Sequence, residues 1–209
     1  MTAIERDIII VGAGVAGIGA ASWFAKLMPE KSLVVLERRA SPGGTWDLFR
    51  YPGVRSDSDM LSYGYSFRPW RGEKVLSPGD AIQGYLREVM EQYQLDRLIR
   101  FNSAVISAAW SSQTRRWQLR VETDGAEPVD YSAPFVLFCT GYFRYDQGYL
   151  PNYPGAEQFV GQLVHPQHWP EQLDWRGKRL VVIGSGATAA TLVPALAGQA
   201  ASVIMGVAG

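Results

Sequence analysis

Cysteine is almost missing from this 209-residue chain, and the single Cys139 excludes an internal disulfide, a C-x-x-C redox pair and any multi-cysteine metal site. An excess of charge is missing too. Twenty basic residues balance 20 acidic ones, which leaves no basic field for nucleic acid or anionic lipid and points to pocket-bound small molecules as partners. No metal and no nucleic acid is expected. Low-complexity tracts are absent. What is present is a chain 47% hydrophobic, long enough for a real core and for one or two domains.

Residues Ile8 to Ala25 run 18 positions without a charge, at the lower edge of a membrane span. Gly12, Gly14, Gly17 and Gly19 fall inside it and its first half is β-branched, which fits a strand turning into a helix. Glu5 and Asp7 beside Arg6 make a poor signal-peptide start. A cytoplasmic location is the expectation, with peripheral membrane association left open.

The pattern predicts a strand over Asp7 to Val11, a helix over Val15 to Met28 stopped by Pro29, and a second buried strand over Ser32 to Leu36, together a β-α-β unit. Residues 38–77 form an aperiodic loop rich in Gly, Pro, Arg and aromatics, of a length that is usually functional. Ser77-Pro78-Gly79-Asp80 predicts a helix start with Ser77 as N-cap and Pro78 at the first helical position. The helix turns Ile82, Tyr85, Leu86, Val89, Met90 and Tyr93 to a core. Runs at 104–110, 116–123 and 129–132 predict an antiparallel meander, and Phe135 to Cys139 a further buried strand. After a connector rich in aromatics, Leu180 to Ile183, a helix from Ala187 and Ser202 to Met205 predict a second β-α-β.

Gly12-Ala13-Gly14-Val15-Ala16-Gly17 sits between the first strand and its helix. The first glycine allows the tight turn, the second lets backbone approach a pyrophosphate, and the third lets helix and strand pack closely. The helix N-terminus favours the negative charge. Glu37 follows Gly17 at the end of the second strand, where a carboxylate can accept from a ribose diol. A dinucleotide site is expected. The motif alone leaves NAD and FAD open, and Gly43-Gly44-Thr45-Trp46 tips it towards FAD by offering a small-residue turn and a flat aromatic to a second ligand portion.

The segment Ser41-Pro42-Gly43-Gly44-Thr45-Trp46-Asp47, followed by Arg50-Tyr51-Pro52-Gly53-Val54-Arg55-Ser56-Asp57, resembles the FAD-binding region of class B flavoprotein monooxygenases of the Baeyer-Villiger type. Phe159, Gly161, His165, Trp169 and Pro170 match that family's F-x-G-x-x-x-H-x-x-x-W-P signature at every fixed position. The resemblance implies FAD contacts at Gly12, Gly14, Ala16, Gly17, Glu37, Gly44, Thr45, Trp46, Asp47, Asp57 and Val105. It implies a hinge role for the signature, with His165 and Trp169 equally readable as a structural histidine and a core aromatic. Asp57 is implied as the acid near the catalytic centre, and Arg55, Ser56 and Asp57 as neighbours of NADPH.

Gly184-Ser185-Gly186-Ala187-Thr188-Ala189 repeats the strand-turn-helix pattern and by the same physics cradles a second pyrophosphate, which the resemblance makes that of NADPH. No Arg or Lys follows Arg179, so the usual reader of a 2′-phosphate is not found in this sequence, nor is the family's active-site arginine. The fold expected is α/β: a Rossmann-like, three-layer FAD-binding domain with an antiparallel meander over 1–150, a connector over 151–178, and the first β-α-β of a second Rossmann-like domain over 179–209. In the family NADPH reduces FAD, and the reduced flavin and O2 oxygenate a ketone, sulfide or thiocarbonyl. The alternative is an FAD-binding fragment or interaction remnant without turnover. A pyridine nucleotide-disulfide reductase shares the architecture but needs a dithiol.

Overall fold

The computed structural model describes residues 3–207, so Ala208 and Gly209 of the second predicted unit lie outside the described residues. In chain order the elements are β1 (Ile4–Glu5), β2 (Ile8–Val11), α1 (Val15–Leu27), β3 (Leu33–Leu36), the single turns α2 (Thr45–Leu48) and α3 (Met60–Tyr63), and α4 (Gly79–Gln92). There follow β4 (Ile99–Arg100), β5 (Ser103–Ser111), β6 (Arg116–Thr123), β7 (Val129–Ala133), β8 (Phe135–Phe138), β9 (Arg179–Ile183), α5 (Ala187–Ala197) and β10 (Ser202–Gly206). They group into two compact units, one from the described residues of Met1–Asp47 and Gln83–Tyr142, the other from those of Leu48–Ile82 and Phe143–Gly209.

The first unit carries two four-stranded sheets. Its parallel sheet has the order β4-β3-β2-β8, with Ile8 opposite both Leu33 and Phe135. Every residue of β2 and β3 is buried, which is why both strands read as unbroken apolar runs rather than alternating ones. One face of the sheet, through Ile9, Val11, Val34 and Leu36, packs on Leu119, Val121, Tyr131 and Ala133 of the second sheet. Each of these larger aliphatic side chains contributes about 1.5–3 kcal/mol by leaving water. Helix α1 packs against β2 and β3.

The second sheet has the order β1-β7-β6-β5. Its β5, β6 and β7 are the predicted antiparallel meander, but β1 adds to β7 in parallel, so the sheet is mixed. Two residues are too short a run to show a period of 2, and the same holds for β4. A register shift between Val105 and Ser107 puts a bulge in β5.

Helix α4 buries Ile82, Tyr85, Leu86, Val89 and Met90 as its spacing predicts, with Tyr93 half-buried. Its start differs from expectation. Pro78 bridges to Arg55 and its carbonyl accepts from Ile82 N–H at 3.1 Å, so Pro78 stands at the N-cap. The Ser77 hydroxyl is buried and has no hydrogen-bond partner among the described residues. The Ser-Pro pattern places the helix start one residue too early, because the bridge holds Pro78 outside the helix.

The second unit carries the parallel pair β9 and β10, with Leu180 opposite Val203, and α5 between them. Its core is Tyr51, Trp175, Leu192 and Leu196, with Trp169, Leu173, Leu180, Val182 and Val203 packed around them. The opposite strand positions stay open: Val181 is 67% and Ile204 61% exposed. Among the described residues no helix is long and apolar enough to cross a membrane.

Candidate functional site

Each glycine of the first fingerprint meets a distinct physical demand. Gly12 has φ +102°, and a Cβ there would lie 2.5 Å from the carbonyl oxygen of Cys139 at the end of β8. A Cβ on Gly17 would lie 1.8 Å from the carbonyl oxygen of Gly12, so α1 rests directly on the turn. Gly14 is the N-cap of α1, and among the described residues a Cβ there would find only Gly44 Cα at 3.7 Å. That is the position where backbone has to stay bare for a ligand to come close. Burial raises the Cys139 thiol above its ordinary pKa, which keeps this neighbour of the turn protonated.

Glu37 closes the turn from the side. Its carboxylate is buried at the end of β3, with Oε2 accepting from Ala13 N–H at 2.7 Å and Oε1 from Arg39 N–H at 2.9 Å. Each oxygen keeps a second lone pair for a diol. The Gly43-Gly44 turn is hooked onto the same place, since Gly43 N–H donates to the Ala13 carbonyl at 2.9 Å. Both glycines have positive φ, +115° and +56°, which side-chain-bearing residues resist. Thr45 and Trp46 are half-buried, whereas Asp47 is buried and faces protein donors: Gln83 Nε2 at 2.6 Å, Arg39 at 2.7 Å and the Ser41 hydroxyl. No sequence motif marks Arg39 or Ser41, and Gln83 is distinguished only as a polar residue interrupting a buried helix face. Val105 lies at the bulge of β5, half-buried against the core.

The second unit holds the other fingerprint. Gly184 has φ +125° and Gly186 is the N-cap of α5, and among the described residues a Cβ at either would meet nothing within 4 Å. Ser185, Ala187 and Thr188 border this open turn, and Ala189 is buried where the third glycine would pack. The loop Tyr51–Gly53 docks on the same helix. A Cβ on Gly53 would stand 2.5 Å from the Thr191 carbonyl oxygen, and the hydroxyls of Thr191 and Tyr51 share a hydrogen bond of 3.3 Å. Just beyond, Arg55 and Asp57 are exposed, while Ser56 is buried and spends its hydroxyl on the Ser58 carbonyl at 2.7 Å.

The predicted residues therefore sort by unit. Gly12, Gly14, Ala16, Gly17, Glu37, Gly44 to Asp47 and Val105 fall in the first, and Arg55 to Asp57 with Gly184 to Ala189 in the second. In the connector, His165 caps the short turn Pro166–His168, its Nδ1 accepting from Gln167 N–H at 3.2 Å. Its ring lies over Gly148, where a Cβ would come within 2.2 Å of Cε1. Trp169 packs against the core of the second unit, and Phe159 is exposed with its ring over Gly161. Among the described residues no group of three or more His, Cys, Asp or Glu could hold a metal ion.

Residues 75–209 match the family model described as flavin-binding monooxygenase-like, and residues 1–59 that of the Thi4 family. The chain belongs to the flavin-binding monooxygenase-like family. It is 52% identical over 200 residues to the FAD-containing monooxygenase EthA of Mycolicibacterium smegmatis, a match covering 95% of this chain and 40% of that protein. Among solved structures it is similar to an oxidized steroid monooxygenase bound to NADP, at 31% identity and a TM-score of 0.81, covering 96% of this chain and 38% of that one. A cyclohexanone monooxygenase from Rhodococcus sp. Phi1 bound to NADP+ gives 28% identity and the same TM-score, with 98% and 38% covered. The chain thus spans about 40% of the length of the curated relatives it matches.

Proposed function

We infer that this chain is the nucleotide-binding portion of an FAD- and NADPH-dependent monooxygenase of the Baeyer-Villiger type, with FAD on the first fingerprint and NADPH on the second. The observation that carries the reading is the first turn: Glu37 holds the Ala13 N–H at 2.7 Å beside the bare Cα of Gly14 at the start of α1. That arrangement fits a dinucleotide, because a pyrophosphate can lie on the helix N-terminus while the carboxylate takes the ribose. The open Gly184–Gly186 turn offers NADPH the same chemistry. The two Rossmann-like parts would span 1–150 and 179–209, joined by the connector over 151–178.

Held there, FAD would supply the redox and oxygen-activating chemistry. The residues of this chain hold and orient. Gly12, Gly14, Ala16 and Gly17 present backbone to the pyrophosphate, Glu37 fixes the ribose, and Gly44 to Trp46 with Val105 border the rest of the cofactor. Arg55 to Asp57 approach the nicotinamide nucleotide, with Asp57 as the acid nearest the chemistry. Phe159, Gly161, His165, Trp169 and Pro170 set the path of the connector, His165 through its cap on Gln167. The substrate class is a ketone, sulfide or thiocarbonyl, with O2 as co-substrate, in the cytoplasm.

A second reading has a specific observation behind it. The exposed Val181, Ile183 and Ile204 leave one face of the β9–β10 pair uncovered, as suits a chain that binds FAD without turning over. Assaying the purified chain for FAD-dependent NADPH oxidation and for oxygenation of a cyclic ketone and an aryl sulfide separates the two. Product formation supports the monooxygenase reading of the isolated chain. FAD binding without product supports the second, and a folded chain that binds neither nucleotide removes both.

A further inference from the structure

Helix α4 reaches the first nucleotide turn through a side chain that lies in no fingerprint. Gln83 is buried, and its Nε2 donates to Oδ1 of Asp47 at 2.6 Å across 36 residues of sequence. The other carboxylate oxygen, Oδ2, accepts from Arg39 Nη2 at 2.7 Å and from the Ser41 hydroxyl. The backbone of the same turn is fastened as well. Gly43 N–H donates to Ala13 at 2.9 Å, Asp47 N–H to the Gly44 carbonyl at 3.1 Å, and Arg39 N–H to Glu37 at 2.9 Å.

A carboxylate at 4% exposure is retained only where donors replace its lost water. Here they come from two positions after β3 and one on α4, so the bonds to Asp47 fix how the segment 39–47 lies against α4. The part that most needs fixing is Gly43-Gly44, because neither glycine has a side chain to hold its left-handed conformation. Packing is close there: a Cβ on Gly43 would stand 3.2 Å from Asp47 Cβ and 3.7 Å from Gln83 Cγ.

We propose that Gln83, Arg39 and Ser41, acting through the buried carboxylate of Asp47, are positioning residues that hold the Gly43–Trp46 turn in its ligand-ready form before a dinucleotide arrives. This rests on the reading of the first fingerprint as an FAD site, and it gives Asp47 the work of an organiser rather than of a cofactor contact. Preorganisation of this kind lowers the ordering cost of binding. It should act on the part of FAD that the turn touches and not on the ADP half, which the Gly12–Gly17 turn and Glu37 hold.

The test is Gln83→Met, which keeps shape and burial and removes the donor. Dissociation constants for FAD and for ADP are measured on the full 209-residue chain by flavin fluorescence and calorimetry, beside the melting temperature of the unliganded protein. The expected result is FAD affinity weakened about tenfold with ADP affinity within about twofold of the original. Ser41→Ala, a smaller change that keeps Gln83 on the carboxylate, should show the same split with lower amplitude. Equal losses of FAD and ADP in both variants would mean a general structural role and overturn the proposal, as would unchanged FAD affinity. An unsubstituted chain that binds ADP but no FAD overturns the flavin reading itself, and this inference with it.

Discussion

The main-chain N–H of Ala13 donates to Oε2 of Glu37 at 2.7 Å, so the carboxylate that ends β3 is joined to the turn that starts α1. The same carboxylate takes Arg39 N–H on its other oxygen at 2.9 Å. Glu37→Gln would set an amide NH2 against one of these two donors. Leaving a buried N–H unpaired costs about 1–3 kcal/mol, and a weaker acceptor remains for the ribose. FAD affinity is expected to fall tenfold or more in a fluorescence titration, with a smaller drop in urea stability. Unchanged affinity would take the ribose role away from Glu37.

Two glycines of one motif should respond in opposite ways. Gly17→Ala drives a Cβ to 1.8 Å from the Gly12 carbonyl oxygen, which α1 can relieve only by lifting off β2. A loss of about 1–3 kcal/mol or more is expected, seen as a lower melting temperature or insoluble protein. Gly14→Ala meets its nearest atom at 3.7 Å and should fold normally while binding FAD more weakly. A Gly14→Ala protein with full FAD affinity would show that no ligand comes close at that position.

Much of this was legible in the residues. The unbroken runs Ile8-Ile9-Ile10-Val11 and Leu33-Val34-Val35-Leu36 read as buried parallel strands because both faces of each strand are covered. Gly12, Gly14 and Gly17 read as a nucleotide turn because each spacing answers a separate steric demand. The Asp47 cluster was not legible, since Gln83 meets Asp47 only once the chain has folded, and helix periodicity marks apolar positions alone. Nor was the grouping of Leu48–Ile82 with Phe143–Gly209, which depends on Tyr51 and Gly53 docking on α5.

That docking is open to test. Gly53 has φ +81°, and a Cβ there would stand 2.5 Å from the Thr191 carbonyl oxygen and 2.7 Å from Ala195 Cβ. Gly53→Ala combines backbone strain with a clash and should destabilise the protein by about 1–3 kcal/mol in thermal unfolding. Tyr51→Phe removes only the hydroxyl bonded to Thr191 and should cost about 0.5–1.5 kcal/mol. If Gly53→Ala proved the milder of the two, the packing described for α5 would be wrong.

Stability should also depend on acid. Asp7 accepts from the hydroxyl and the main-chain N–H of Ser32, which hold its carboxyl below the ordinary aspartate range. Asp59 is lowered by Ser62 in the same way, through the N–H first and then the hydroxyl. A group whose pKa is depressed by folding contributes stability above its unfolded pKa, and loses it as pH falls through the folded value. Urea midpoints should therefore be flat from neutral pH down to the ordinary carboxylate range and fall below it. In Asp7→Asn the acid fall should be shallower; a steeper one would mean the sign is wrong.

A flavin dinucleotide on the Gly12–Gly17 turn should be visible directly. Refolding the purified chain with excess FAD, removing free cofactor and recording the visible absorbance tests it most directly, with Gly14→Val as control. Bound flavin is expected in the original chain and none in a folded Gly14→Val protein. A folded chain that takes up no flavin, or a Gly14→Val protein that binds it equally well, would rule out a flavin on this turn.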